Sequence, residues 1–214
     1  MLQENQGRPH LICLSEHPMG KEEMKDFLFP GYELVNCFCR ETCSKGGTFI
    51  LARNYIIYQA INLNKLYKEK VFEVSAFTIH TCSTKVILCC VYRSPAENPN
   101  YFLQHLEKNT ETYIPAVSLV ICGDLHINYL AEILVKQNLD SIMKTFNLTQ
   151  VVTFSTRICS NKEQIDSKFL DNAKFQNPSI HSFDSGLSEH VAQILTLKNI
   201  TVPIQKYTHT VKLD

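Results

Sequence analysis

Apolar residues in this chain fall into short runs, and the spacing inside each run predicts its element. Lys85–Tyr92 (KVILCCVY) and Val117–Cys122 (VSLVIC) are unbroken and rich in Val and Ile, the signature of strands buried on both faces. His10–Leu14 (HLICL) predicts a short buried strand, and Val71–His80 alternates as a half-buried strand does. Tyr32–Arg40 and Thr48–Arg53 read as paired strands around the turn at Lys45-Gly46-Gly47. Val151–Phe154, Ile165–Leu170 and Val191–Leu197 complete the strands. Helical spacing recurs three times. In Gly20–Phe29 it places Met24, Phe27 and Leu28 on one face before Pro30-Gly31 stops the helix. Asn98–Lys108 does the same with Phe102, Leu103 and Leu106, and Ala131–Phe146 is the third. Strands outnumber helices, which favours an α/β (α+β) class with stacked mixed sheets flanked by helices. Residues 1–197 form one expected domain, and 198–214 a polar, Thr-rich tail expected to be loosely held.

Composition narrows the class. With 44% apolar and 20% charged residues, the chain can bury a core and is not of the disordered type. No stretch is apolar for long enough to span a membrane, and the opening MLQENQGRPH is polar from the start. The expected setting is therefore the nucleus or cytoplasm, not secretion. Lys and Arg number 21 and Asp and Glu 21, so net charge does not point to strong non-specific nucleic-acid binding. Of nine cysteines, Cys13, Cys82, Cys89, Cys90 and Cys122 lie in apolar segments and read as small buried hydrophobes. Cys37, Cys39 and Cys43 lack the second ligand pair of a zinc site.

The chemistry sits where the apolar runs stop. Leu14-Ser15-Glu16, Ile121-Cys122-Gly123-Asp124, Gln164-Ile165-Asp166 and Leu187-Ser188-Glu189-His190 share one grammar, a strand ending in an acid or a histidine. Gly123 lets the backbone leave its strand in a conformation that other residues resist. Alone, Gly-Asp would read as a plain turn. Carboxylates at the ends of three such strands are not expected by accident, and Asp124 and His126 sit just past their strand's end, where sites in α/β sheets lie. Carboxylates supply the oxygen that a hard cation such as Mg2+ takes, and a histidine held by an acid can protonate an oxygen in phosphoryl chemistry.

The segments ICLSEH (12–17), CSKGGTFILAR (43–53), VYRSPAENPNYFLQHLE (91–107), VICGDLHINYL (120–130), LTQVVTFSTRICSN (148–161), IDSKFLDN (165–172) and GLSEHVAQ (186–193) together resemble the endonuclease/exonuclease/phosphatase superfamily. Within it they are similar to the endonuclease domain of insect-type non-LTR retrotransposons, which accompanies a reverse transcriptase. The resemblance implies a four-layer sandwich of two mixed β-sheets flanked by helices. It implies metal-assisted phosphodiester hydrolysis on DNA with Mg2+ or Mn2+, by a monomer that needs no small-molecule cofactor. Carried over by position, Asp124 aligns the attacking water, Asp166 orients the catalytic His190, and Tyr92 lies near the scissile phosphate. Glu16 and Glu189 are the implied metal ligands, and Arg93, Asn98, His126 and Arg157 the implied substrate contacts.

The chain departs from the family at three places. His126 stands where the Gly-Asp-Phe-Asn motif has Asn, and Glu189 where Ser-Asp-His has Asp. The family's first strand and its active-site Asn precede the point where this sequence starts. An unfilled sheet position leaves backbone groups unpaired, so lower stability, or another segment covering that edge, is expected. Two alternatives follow: an inactive form of the fold that serves as a binding module, and a phosphatase for a small phosphoester.

Overall fold

The computed structural model describes residues 8–203, apart from 43–44, 64–65, 82–83, 114–117, 159–161, 172 and 199. In chain order the elements begin with β1 (Leu11–His17), α1 (Lys21–Lys25), β2 (Tyr32–Phe38), β3 (Gly46–Arg53) and β4 (Gln59–Ala60). Then come β5 (Glu73–His80), β6 (Lys85–Tyr92), α2 (Pro99–Tyr113), β7 (Ser118–Asp124) and α3 (Leu134–Thr145). The last are β8 (Leu148–Gln150), β9 (Asp166–Asp171), β10 (Ser179–Phe183) and β11 (Ala192–Thr196).

A six-stranded sheet of order β4-β5-β6-β7-β9-β8 forms the framework. Its one parallel pair, β6 and β7, is joined through α2, while the other neighbours are antiparallel. β5, β6 and β7 are buried on both faces because both faces are covered. Val74, Ala76, Ile87, Cys89, Leu119 and Ile121 pack under α2 and α3 with Phe102, Leu106, Leu139 and Met143. On the other face, Phe77, Ile79, Cys90 and Cys122 meet Ile50 and Ala52 of the facing sheet, β1-β3-β2. Removing a fully buried ring such as Phe77 from this inter-sheet core costs about 3–5 kcal/mol. Thr48 and Ser75 link the sheets by a hydroxyl–hydroxyl bond of 2.7 Å. On the outer side of the smaller sheet, Met24 of α1 packs with Phe49 and Leu51. The result is four layers, helix, sheet, sheet, helices. Only the larger sheet is mixed, because β1-β3-β2 is antiparallel throughout.

β10 and β11 form a separate hairpin, whose Leu195 packs over Val120 and Leu170 of the large sheet. Among the described residues, β1 pairs only with β3 and β11 only with β10, so each shows one edge that no described strand covers. Packing continues past Lys198. Ile200 and Val202 rest on the core, and the Ile57 N–H donates to the Pro203 carbonyl at 3.2 Å.

Four expectations need correction. β5 is buried on both faces, not half-buried, because Ser75 is bonded across the sheets and Glu73 is ion-paired. α1 is five residues long and leaves Leu28 89% exposed. No strand forms at Val151–Phe154. The strand is Leu148–Gln150. Beyond it the Val151 N–H still donates to the Lys168 carbonyl at 2.9 Å, and the Gln150 side-chain oxygen accepts from the N–H groups of Val151, Val152 and Lys168. Finally, the strand β10 lies where only polar, mixed sequence is visible.

Candidate active site

Strand register brings the site together. Asp124, at the end of β7, is the direct partner of Tyr92 on β6 and of Asp166 on β9. Three side chains from distant parts of the chain therefore stand side by side at one rim of the large sheet. Gly123 makes the approach possible. It has φ +140°, and a Cβ there would lie 1.8 Å from the Val91 carbonyl oxygen. Only glycine fits.

Loop bonds then fix the acids. The segment after β7 is zipped to the one before β9 by Leu125 N–H to Ile165 O at 3.1 Å and Tyr129 N–H to Gln164 O at 2.9 Å. The buried Thr156 hydroxyl oxygen accepts from the N–H groups of Ile165 and Asp166 at 3.1 and 3.2 Å. Across the rim, Val191 N–H donates to Thr156 O and Ile158 N–H to Glu189 O. These bonds strap the His190 segment to the same loop. His190 Nδ1 then lies 2.9 Å from Asp166 Oδ2. Ligand atoms of Asp124, Asp166 and His190 all lie within 4.8 Å of one another. This cluster of two acids and a histidine could hold a metal ion.

The electrostatics follow from burial. Desolvation pushes the Asp124 carboxyl above its ordinary pKa, and the neighbouring Asp166 charge adds to the effect, while His126 opposes it. Burial also raises the Tyr92 phenol, helped by the charges of Glu16 and Asp124, so it keeps its proton and remains a donor. The hydrogen bond that His190 gives to Asp166 raises the pKa of His190. Two acids held this close in a buried setting repel each other, and a cation would relieve the repulsion.

The remaining candidates have varied placements. Glu16 is exposed near the end of β1 with φ +59°, and its charge reaches Tyr92. His126 has φ +50°. Non-glycine residues in this region cost of order 1–3 kcal/mol and cluster at functional sites. The His126 N–H donates to Asp124 Oδ1 at 3.0 Å. Its ring Nδ1 is also 3.0 Å from that oxygen but makes no aligned hydrogen bond. The ring edge rests on Tyr92, with centroids 5.7 Å apart. Glu189 is drawn away from the cluster by Arg157, whose Nε donates to it at 2.8 Å and whose Nη1 reaches Glu163 at 3.2 Å. Arg93 is buried and gives its N–H groups to the carbonyls of Ser94, Glu97, Leu125 and His126. It braces the loop that carries His126. Asn98 caps the start of α2, accepting from Asn100 N–H at 2.9 Å.

Sequence reasoning passed over Arg40, Glu73 and Thr156. Arg40 Nε lies 2.5 Å from Glu73 Oε1, both buried, and its guanidinium sits 5.5 Å from the Tyr92 ring centroid. Glu73 also accepts from Gly47 N–H and Lys70 N–H. The signal for this pair is tertiary. Its members are 33 residues apart, and no motif marks either.

Solved structures with the same arrangement of layers identify the fold. The endonuclease domain of TRAS1, a telomere-specific non-LTR retrotransposon, matches with TM-score 0.65 and 13% identity, over 83% of this chain and 81% of that one. The 3′ phosphatase NExo from Neisseria, solved with a product DNA hairpin, matches with TM-score 0.62 and 13% identity, over 94% and 91%. This is the endonuclease/exonuclease/phosphatase fold. A Cimex nitrophorin mutant, solved as a ferrous NO complex, also matches, with TM-score 0.54, 12% identity and coverage of 94% and 89%. Comparison of the sequence with protein-family models and with curated proteins finds no match. At such identities the endonuclease/exonuclease/phosphatase fold is shared while activity is set by the site built on it.

Proposed function

We propose that the protein hydrolyses phosphodiester bonds in DNA with the help of a divalent cation, as an endonuclease of the retrotransposon type. The observation that carries this reading is the convergence of Asp124, Asp166 and His190, with His190 held through Nδ1 by Asp166. Nδ1 being engaged, Nε2 is the nitrogen left to face a phosphate oxygen. The hydrogen bond to Asp166 raises the His190 pKa and so favours the charged ring, and a charged ring stabilises negative charge as it develops. Asp124, its pKa raised by burial, is placed to align a water and take its proton. The Tyr92 hydroxyl donates beside it. Glu16 and the cluster acids offer hard oxygen donors that suit Mg2+ or Mn2+, and a bound ion would polarise the phosphate. Glu189, the other acid that the resemblance makes a metal ligand, is engaged by Arg157. The neighbours whose structures were solved as a retrotransposon endonuclease domain and with a DNA hairpin support DNA as substrate.

The test is nicking of supercoiled plasmid in Mg2+ by the full chain. Glu16→Ala and His190→Ala should each abolish it, and nicking that survives both changes refutes the reading. One observation favours a second reading, an inactive form of the fold that binds a partner. The His126 ring lies against the Asp124 carboxylate, where a water or cation would approach. That reading requires no turnover and no rise in Tm with Mg2+, since a ligand of the native state must stabilise it.

A further inference from the structure

Away from the acid rim, three cysteines from three strands meet inside the inter-sheet core. Cys13 lies on β1, Cys90 on β6 and Cys122 on β7, and their sulfur atoms are all within 4.8 Å of one another. Cys90 and Cys122 are direct register partners, and Cys13 reaches them from the facing sheet. Their surroundings are apolar, including Ile50, Ala52 and Phe77. Packing alone gives no reason for three sulfurs to converge, since a valine or alanine at any of these positions would fill the core as well. The hydrolase reading uses none of them.

We propose that Cys13, Cys90 and Cys122 form a binding site for one soft monovalent cation, Cu(I), held by three sulfurs. A metal–thiolate bond of about 2.3 Å in a planar three-sulfur arrangement sets the sulfurs roughly 4 Å apart, within the separation found here. Zinc sites in proteins are completed by four ligands. Among the described residues no histidine or carboxylate joins this cluster, so the fourth is missing. Hard cations need oxygen donors. Thiolates select Cu(I), zinc and iron–sulfur clusters, and of these zinc and the clusters take four protein ligands, which leaves Cu(I) for three sulfurs. Lys168 on β9 (its Nζ bonded to the Gln193 side chain at 2.7 Å) supplies a nearby positive charge to offset the thiolates. Coordination releases thiol protons to solvent and changes no oxidation state. Such a site also needs a way in. Cys13 is only half-buried, on a strand whose second edge no described strand covers, and that edge is the entry.

The test uses the full chain, reduced and kept free of oxygen, titrated with Cu(I) buffered by bicinchoninate. One tight equivalent is expected, with three sulfur neighbours by X-ray absorption and a rise in Tm. The equivalent should persist when Cys37, Cys39 and Cys43 are all changed to Ser. Changing a group that merely supports a metal ligand costs 10–100-fold in affinity, so Cys122→Ser should cost at least about a hundredfold. Cys13→Val, at a half-buried position that tolerates a small apolar side chain, should do the same with the fold retained by circular dichroism. The proposal is overturned if either variant binds Cu(I) as the native chain does, or if the bound ion has fewer than three sulfur neighbours.

Discussion

Two arginine–glutamate pairs flank the acid cluster, and they differ in almost every physical respect. Arg40–Glu73 lies on the framework side, with side-chain exposures of 8% and 0%, and Glu73 also gathers two backbone N–H groups. Arg157–Glu189 lies on the strap that carries His190, with exposures of 32% and 48%. The first fixes the ground under Tyr92, since Glu73 is the register partner of Tyr92. The second ties down a surface segment that backbone bonds already hold. One half of the site is thus built into a closed core, and the other is fastened to it from outside.

This contrast makes its sharpest prediction for stability. Glu73→Gln removes the buried carboxylate that pairs with Arg40, and breaking a buried pair costs about 3–5 kcal/mol. Urea unfolding should show it, and a loss below about 1 kcal/mol would remove the distinction between the two pairs. Next in size is Asp166→Asn, which frees the His190 ring on the strap side. Nicking should slow by at least about a hundredfold while the urea midpoint moves little. A rate near that of the native chain would mean that the orientation of His190 does not matter.

Smaller still is the effect of pH. The His190 pKa is raised by Asp166, so the protonated ring is favoured in the fold. Its contribution to stability is full below the ordinary histidine value of about 6.5 and is lost as pH rises through the folded-state value. Tm should therefore decline as pH increases above about 6.5, and Asp166→Asn should flatten that decline. An unchanged slope would show that another group titrates. The smallest effect is expected for Glu189→Gln. An exposed pair is worth about 0–1 kcal/mol, and the carboxylate stands outside the cluster, so both stability and nicking should change little. A loss of activity like that of Asp166→Asn would restore Glu189 to the metal site.

How far the sequence could be read depended on where each residue's partners lie. β6 and β7 were visible because strands covered on both faces leave no polar position. Glu16, Asp124, Asp166 and His190 stood out because each follows an apolar run. Arg93 was singled out by resemblance alone, and nothing local announces that its N–H groups go to the carbonyls of Ser94, Glu97, Leu125 and His126. β8 was displaced because the Gln150 side chain takes up the N–H groups of Val152 and Lys168 where the ladder ends, an effect with no periodic signature. β10 was missed because its alternation, Ser179 to Phe183, is half-exposed and weak. Arg40 and Glu73 were silent for a simpler reason. A buried ion pair is made by the fold, and neither member carries local evidence of the other.

The register across β6, β7 and β9 also decides which genetic changes the protein can survive. Successive residues of a strand face opposite ways, and Tyr92, Asp124 and Asp166 face each other only because their three strands keep count together. Deleting one codon anywhere from 118 to 123 would turn Asp124 toward the wrong layer and move Gly123 off the Val91 carbonyl. The same deletion among 131–133, ahead of α3, would shift only a surface turn. The reading frame of one short strand thus guards the site more strictly than the identity of most residues around it.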